Sequence, residues 1–148
     1  LNLALGCDLV VASDRARFSE IFARRGLSLD YGGSWLLPRR VGLHKAKELA
    51  LLAPVIDAAE AERIGLVNAV VPVDELDATV GAWAARLAAG PPIALAQTKA
   101  LLDRSGTSSL ADALAAEAAA QTVNFGTKDT REAIAAFLQK REPRYTGR

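Results

Sequence analysis

The sequence of 148 residues contains no methionine, one cysteine, one histidine and only 5% aromatic residues. A single cysteine, Cys7, cannot form an internal disulfide, and no secretory signal is present, so we expect a cytoplasmic location and a buried structural thiol. With His44 as the only histidine, the chain offers neither a conventional zinc site nor a Ser-His-Asp triad. We therefore expect no bound metal and a surface or capping role for His44.

The chain also lacks an excess of charge of either sign, because 18 Lys and Arg residues nearly balance 17 Asp and Glu residues. No overall field favours nucleic acid or a membrane surface, and no apolar run is long enough to span a bilayer. P-loop and dinucleotide glycine fingerprints are absent, which excludes nucleoside triphosphate and nicotinamide chemistry. Residues 14–47 hold a local basic excess, which is typical either of a solvated surface or of a patch for a phosphorylated ligand.

The hydrophobic share of 51% and the charged share of 24% are those of an ordinary globular protein. The length suits one domain with a core of its own. The chain begins within an apolar, structured pattern and lacks methionine, so we interpret it as the later part of a longer protein. Some of the active site is then expected outside it.

The hydrophobic pattern divides the chain at Pro72 into residues 1–72, with short strands and helices, and residues 73–148, with helices only. In the first part, the pattern predicts helices at 1–7, from near Gly32, at 45–52 and at 57–65, and strands at 8–13, near Phe18 and at 66–71. In the second part, it predicts helices at 76–87, 93–104, 108–125 and 128–141. We expect Ser108 and Thr127 to cap helices and the tail, residues 142–148, to be loosely held.

The most chemically suggestive stretch is Asp30-Tyr31-Gly32-Gly33-Ser34-Trp35. Asp30 stands just before two glycines and a predicted helix start, so it is either a structural N-cap or a catalytic group. In the second case, apolar neighbours would desolvate the carboxylate and raise its pKa into a useful range for a general acid or base. Residue periodicity does not separate these two interpretations.

Four segments, met in order, carry a family resemblance: GCDLVVASDRARF, GLSLDYGGSWLLPRRVG, AAEAERIGLVNAVVP and DTREAIAAFLQKREPRYTGR. Together they resemble the second half of an enoyl-CoA hydratase/isomerase, the crotonase family. The resemblance implies an α/β fold, the later part of a crotonase-like (ClpP/crotonase) β-β-α superhelix, with a helical C-terminal region that builds trimers or hexamers. It also implies an acyl-CoA thioester substrate, with coenzyme A as part of that substrate and no separate cofactor.

The family's two oxyanion-hole donors lie, by this resemblance, ahead of Leu1. Its CoA adenine contacts correspond to Phe137 and Lys140, one helical turn apart on the last helix. The alternative is that Phe137 belongs to the core and Lys140 is solvated.

The two glutamates of the family's hydratases correspond to Asn2 and Phe22, neither of which can act as a general base. Glu20 lies two residues from Phe22 and is out of register. Asp30, in contrast, matches an aspartate that some isomerases of the family place in a similar Asp-x-Gly-Gly stretch. The resemblance makes Asp30 the catalytic candidate. The substrate-pocket candidates are Asn2, Phe22, Tyr31, Gly32 and Trp35.

The sequence thus predicts an acyl-CoA enzyme that shifts the double bond of an enoyl-CoA thioester through a stabilised enolate, with one aspartate as acid and base. The alternatives are an enoyl-CoA hydratase that uses another base, and a non-catalytic fragment or assembly module. We expect residues 1–148 alone to be inactive, because both oxyanion donors are missing from them.

Overall fold

The structure, a computed structural model, describes residues 1–148, which form two units, Leu1–Ala82 and Trp83–Arg148. None of the helices is both long and apolar enough to cross a membrane. The first unit contains every strand, and α5 runs across the boundary between the units. The elements up to that boundary are α1 (Asn2–Leu5), β1 (Val11–Ser13), β2 (Arg17–Phe18), α2 (Gly33–Val41), α3 (Leu43–Leu52), β3 (Ile56–Asp57), α4 (Ala58–Arg63), β4 (Ala69–Val71) and α5 (Leu76–Ala88).

The strands form two small sheets. β1 pairs with β4 in parallel, with Ala12 opposite Val70, and β2 pairs with β3 antiparallel, with Phe18 opposite Ile56. A parallel pair needs a long crossover, and here the crossover contains β2, β3, a 3-10 helix and three α-helices. The strands at 8–13 and 66–71 are thus confirmed in shortened form, whereas β3 was not expected.

The core of the first unit lies between these sheets and helices. Leu5 of α1 and Leu37 of α2 are almost fully buried, so the short first helix is fixed against α2 by its apolar face. The Arg40 guanidinium adds a hydrogen bond of 3.3 Å to the Leu5 carbonyl oxygen. The other buried core residues are Ala12, Ala46, Leu49, Ala61, Leu66 and Val67. α1 and α2 are therefore held together at the place where the site residues lie.

Helix α4 lies within the predicted range, residues 57–65. Asp57 is its N-cap and accepts a hydrogen bond of 2.9 Å from the Glu60 amide. Gly65, the last residue of the predicted range, adopts a positive φ of 75° just after the helix, as glycine commonly does at a helix end.

The second unit is entirely helical, as predicted, and contains the end of α5, α6 (Pro92–Ser105), α7 (Leu110–Gly126) and α8 (Lys128–Gln139). Thr127 caps α8, which confirms the prediction. The cap of α7 is Ser109, not Ser108, because the Ser109 hydroxyl accepts from the Asp112 amide at 3.1 Å. Only Ala120 of α7 is buried, so this alanine-rich helix leaves most of its apolar surface exposed.

The prediction of a loose C-terminal tail is wrong. The buried Asp129 carboxylate accepts hydrogen bonds from the amides of Thr146 (2.7 Å) and Gly147 (2.9 Å). Glu132 accepts from the Arg144 amide at 3.0 Å and forms a paired contact with the Arg141 guanidinium. Two carboxylates of α8 therefore fix the tail to the start of its own helix.

Two further expectations concern single residues. Cys7 is exposed rather than buried, because α1 ends at Leu5 and Cys7 follows it in a turn instead of lying on the apolar face. His44 is exposed in the first turn of α3, as expected of a surface residue.

Candidate active site

The loop that enters α2 is a tight turn with Asp30 at its start. The Gly33 amide donates a hydrogen bond of 2.8 Å to the Asp30 carbonyl oxygen, and the two residues between them, Tyr31 and Gly32, have positive φ values of 47° and 75°. Positive φ at both central positions is the pattern of a type I′ turn. Glycine accepts this conformation without cost, whereas for tyrosine it stores strain of about 1–3 kcal/mol. The backbone that presents Asp30 is therefore fixed, with a strained residue beside it.

The Asp30 side chain is exposed and does not cap α2. The N-cap is Gly32, and no side chain bonds to the free amides of the first turn. The N-cap interpretation of Asp30 is therefore wrong. The expected desolvation is also absent within residues 1–148, since Leu27 and Tyr31 are themselves 63% and 74% exposed. What the turn provides is an accessible carboxylate in a defined position.

Behind the turn lies a buried polar pair, of which sequence reasoning named Asn2 as a pocket candidate and set Glu20 aside as out of register. Asn2 and Glu20 are 4% and 1% exposed, and the Asn2 carboxamide nitrogen donates to a Glu20 carboxyl oxygen at 3.2 Å. Burial raises the pKa of the Glu20 carboxyl above its ordinary value, and the negative charge of Asp30 acts in the same direction, while the hydrogen bond from Asn2 opposes them. For Glu20 the sequence offered only a single acidic residue between Phe18 and Phe22.

Gly33 connects the polar pair to the turn. A Cβ at Gly33 would lie only 2.4 Å from the Asn2 carboxamide nitrogen and 2.7 Å from its oxygen. Only glycine therefore allows the Asn2 side chain to lie against the start of α2. Of the predicted residues, the structure brings Asn2 together with the turn that carries Asp30, Tyr31 and Gly32.

The other two pocket candidates lie on separate helical segments. Phe22 is half-buried in a 3-10 helix, Ile21–Arg25, and its carbonyl oxygen accepts a hydrogen bond of 3.0 Å from the Leu27 amide. Trp35 is 49% exposed on α2, and the Arg39 guanidinium stacks 3.8 Å from its ring centre. Arg39 is thus engaged with an aromatic ring, and Phe22 supplies no group that exchanges protons.

The two CoA candidates lie at the end of α8. Phe137 is 80% exposed, so the alternative that it belongs to the core is wrong. Lys140 is exposed but is not part of the helix: it is the C-cap, with a positive φ of 54°, and its amide donates to the Phe137 carbonyl oxygen at 3.2 Å. The spacing of one regular helical turn therefore does not hold for this pair. No group of His, Cys, Asp and Glu in residues 1–148 is placed to hold a metal ion.

Similarity to known proteins shows the family of the chain that carries these residues. The family model for enoyl-CoA hydratase/isomerase matches residues 1–148. The chain belongs to the enoyl-CoA hydratase/isomerase family. A Rhodobacter capsulatus protein named "Probable enoyl-CoA hydratase" is 43% identical over 147 residues, which cover 99% of this chain and 57% of that protein. The Escherichia coli 1,2-epoxyphenylacetyl-CoA isomerase is 38% identical over 147 residues, with 99% and 56% covered.

Solved structures of the family confirm the crotonase-like fold. A Bacillus anthracis enoyl-CoA hydratase superposes with a TM-score of 0.95 at 34% identity, over 99% of this chain and 57% of that one. A Cupriavidus metallidurans enoyl-CoA hydratase/isomerase gives a TM-score of 0.92 at 44% identity, over 99% and 55%. The chain thus spans a little more than half the length of these relatives, which is consistent with the resemblance to a second half.

Proposed function

We propose that the protein is an acyl-CoA enzyme that moves the double bond of an enoyl-CoA thioester, with Asp30 as the proton carrier. The observation that carries the proposal is the exposed Asp30 carboxylate on a hydrogen-bonded turn. The positions that correspond to the two hydratase glutamates hold Asn2 and Phe22 instead. One accessible carboxylate suffices for a proton shift between two carbons of the same substrate.

The proposed reaction conserves all atoms of the substrate. The Asp30 carboxylate removes a proton from a carbon of the enoyl group, and the electron pair of that C–H bond moves through the conjugated system to the thioester oxygen. The aspartic acid then returns the proton to a different carbon, and the electron pair returns to form the shifted double bond. Backbone N–H donors stabilise the enolate oxygen in this scheme, and the resemblance places both of them ahead of Leu1.

Water addition is the second candidate function. Relatives named as hydratases support it, for example the Clostridium acetobutylicum short-chain-enoyl-CoA hydratase, 37% identical over 141 residues that cover 95% of this chain and 54% of that protein. The Glu20 carboxyl group accepts a hydrogen bond from Asn2, so a carboxyl group still lies beside one of the two positions that correspond to the hydratase glutamates. The first candidate is favoured because Glu20 is only 1% exposed, whereas Asp30 is accessible.

The proposal extends to CoA and to assembly. Phe137 and Lys140 would contact the adenine of CoA, since both residues are exposed at the end of α8. Exposed apolar side chains of α7, such as Leu110, favour a trimer or hexamer. We propose a cytoplasmic enzyme with no cofactor other than the CoA of its substrate.

The decisive experiment compares Asp30→Asn with the wild type in the full-length protein. Asparagine keeps the size of the side chain but cannot exchange the proton, so turnover should fall by about 10²- to 10⁴-fold while acyl-CoA binding changes little. Mass spectrometry of the products distinguishes the two candidate reactions, because hydration adds one water and isomerisation leaves the mass unchanged. Asp74→Asn, the same change at an exposed aspartate, is the control. Near-normal isomerisation by Asp30→Asn would refute the role of Asp30.

A further inference from the structure

Glu20 is the one buried titratable group near the site to which the proposed reaction gives no task. Its carboxyl group is 1% exposed and has a single hydrogen-bond partner, the Asn2 carboxamide at 3.2 Å. The second carboxyl oxygen of Glu20 and the carboxamide oxygen of Asn2 are both buried without a partner. Unsatisfied buried polar atoms cost about 1–3 kcal/mol each, so an apolar side chain at position 20 would serve better if core packing were its only role.

A short series of contacts joins Glu20 to Asp30. The Glu20 carboxyl group holds the Asn2 carboxamide, which lies against Gly33 so closely that a Cβ there would come within 2.4 Å. Gly33 in turn donates its amide hydrogen to the Asp30 carbonyl oxygen at 2.8 Å and closes the turn. A rotation of the Asn2 side chain would therefore press on the residue that closes the turn.

We infer that Glu20 is a positioning residue for the active site: through its hydrogen bond it fixes the Asn2 carboxamide against Gly33 and so holds the turn that presents Asp30. This inference rests on the proposed function, since it assumes that the position of Asp30 matters for turnover. Glu20 does not touch substrate in this scheme, because its side chain is buried behind Asn2. Its effect is expected on kcat, with little change in KM.

The test uses two substitutions in the full-length protein. Glu20→Met has similar length but no hydrogen bond, whereas Glu20→Gln keeps an oxygen that accepts from Asn2. Since small displacements of a catalytic group cost up to about 10²-fold, kcat should fall by about 10- to 100-fold in Glu20→Met and stay near the wild-type value in Glu20→Gln. Thermal stability should fall modestly in Glu20→Met, because the buried Asn2 carboxamide nitrogen loses its acceptor, while removal of the unsatisfied Glu20 oxygen offsets part of that cost. Glu75→Met, at an exposed glutamate, is the matched control.

Amide hydrogen exchange separates this inference from the proposed function. The Gly33 amide closes the turn, so it should exchange faster in Glu20→Met than in the wild type and in Glu20→Gln, whatever reaction the enzyme catalyses. Unchanged exchange at Gly33 together with an unchanged kcat would overturn the inference. So would a Glu20→Met protein that fails to fold while Glu20→Gln folds, because the contact would then be structural. Failure of Asp30→Asn to lower turnover would instead refute the proposed function, and faster exchange at Gly33 in Glu20→Met would then still show that Glu20 holds the turn.

Discussion

Replacement of Gly33 by alanine is the sharpest perturbation that the structure offers. The added Cβ would lie 2.4 Å, 2.6 Å and 2.7 Å from the nitrogen, carbon and oxygen of the Asn2 carboxamide. All three distances are below van der Waals contact, and Asn2 is 4% exposed and bonded to Glu20, so it has no free space to enter. Overpacking of this kind costs about 1–3 kcal/mol, and loss of the buried hydrogen bond costs about 1–3 kcal/mol more. Alanine regains up to about 1 kcal/mol of helix propensity at the start of α2. The net expected loss is about 1–6 kcal/mol.

Urea unfolding of the purified protein measures this loss directly. With a slope of about 1–3 kcal/mol per molar urea, a loss of about 3 kcal/mol lowers the midpoint by about 1–3 M. Gly81→Ala is the matched control: beyond its chain neighbours and the adjacent backbone of its own helix, no atom lies within 4 Å of the position that its new methyl group would take. The residue is inside α5, so this change should stabilise by about 0.5–1 kcal/mol.

The double variant Asn2→Ala/Gly33→Ala tests the cause of the loss. Because Asn2→Ala removes the atoms that collide with the new methyl group, the two changes together should cost clearly less than the sum of the single changes. A Gly33→Ala protein with wild-type stability, or two additive losses, would refute the assigned contact between Asn2 and Gly33.

Two other predictions concern the second unit. The Arg141 guanidinium, followed by the Arg144 amide, lowers the pKa of the Glu132 carboxyl to about 2. The ionised Glu132 carboxylate therefore stabilises the fold fully above pH 4.5, its ordinary pKa, and this stabilisation is lost as the pH falls from 4.5 toward 2. Glu132→Gln should therefore flatten the decline in melting temperature over this pH range, and an unchanged profile would contradict the assignment. Three large apolar side chains of α7 are exposed: Leu110 (77%), Leu114 (56%) and Phe125 (69%). Light scattering at micromolar concentration should therefore report a trimer or hexamer, and a monomer that binds no apolar dye would contradict this prediction.

The sequence predicted best those elements that local chemistry determines. α4 was defined by its own residues: Asp57 accepts from the Glu60 amide and Gly65 has a positive φ. The helices of the second unit also follow from periodicity. The same periodicity places Val80 and Leu87 on one apolar face of α5, which we expected to be packed, yet both side chains are about half exposed. Local signals define where a helix forms, but they do not determine what covers it.

The candidate site shows why the remaining predictions needed coordinates. Asp30 had the right neighbours for an N-cap, yet the positive φ values of Tyr31 and Gly32 make Gly32 the residue that precedes the helix. Asn2 and Glu20 are 18 residues apart in sequence, and no periodicity relates an amide in one helix to a carboxyl group after a strand. The contact exists because the chain returns to α1 just after β2. Side-chain pairs of this kind follow from topology rather than from spacing.

Residues 1–148 alone provide the most direct test of the proposed mechanism. By the family resemblance, both backbone donors that receive the thioester oxygen precede Leu1, and each such donor contributes about 3–4 kcal/mol to stabilisation of the developing charge. Loss of both raises the barrier by about 6–8 kcal/mol, which lowers turnover by about four to six orders of magnitude even with Asp30 correctly placed. Assays of this chain with short enoyl-CoA thioesters should therefore detect neither hydration nor isomerisation, while the full-length protein is active. Turnover above about 1 s⁻¹, within the usual range of enzymes, from the verified 148-residue chain would show that the reaction does not depend on those donors.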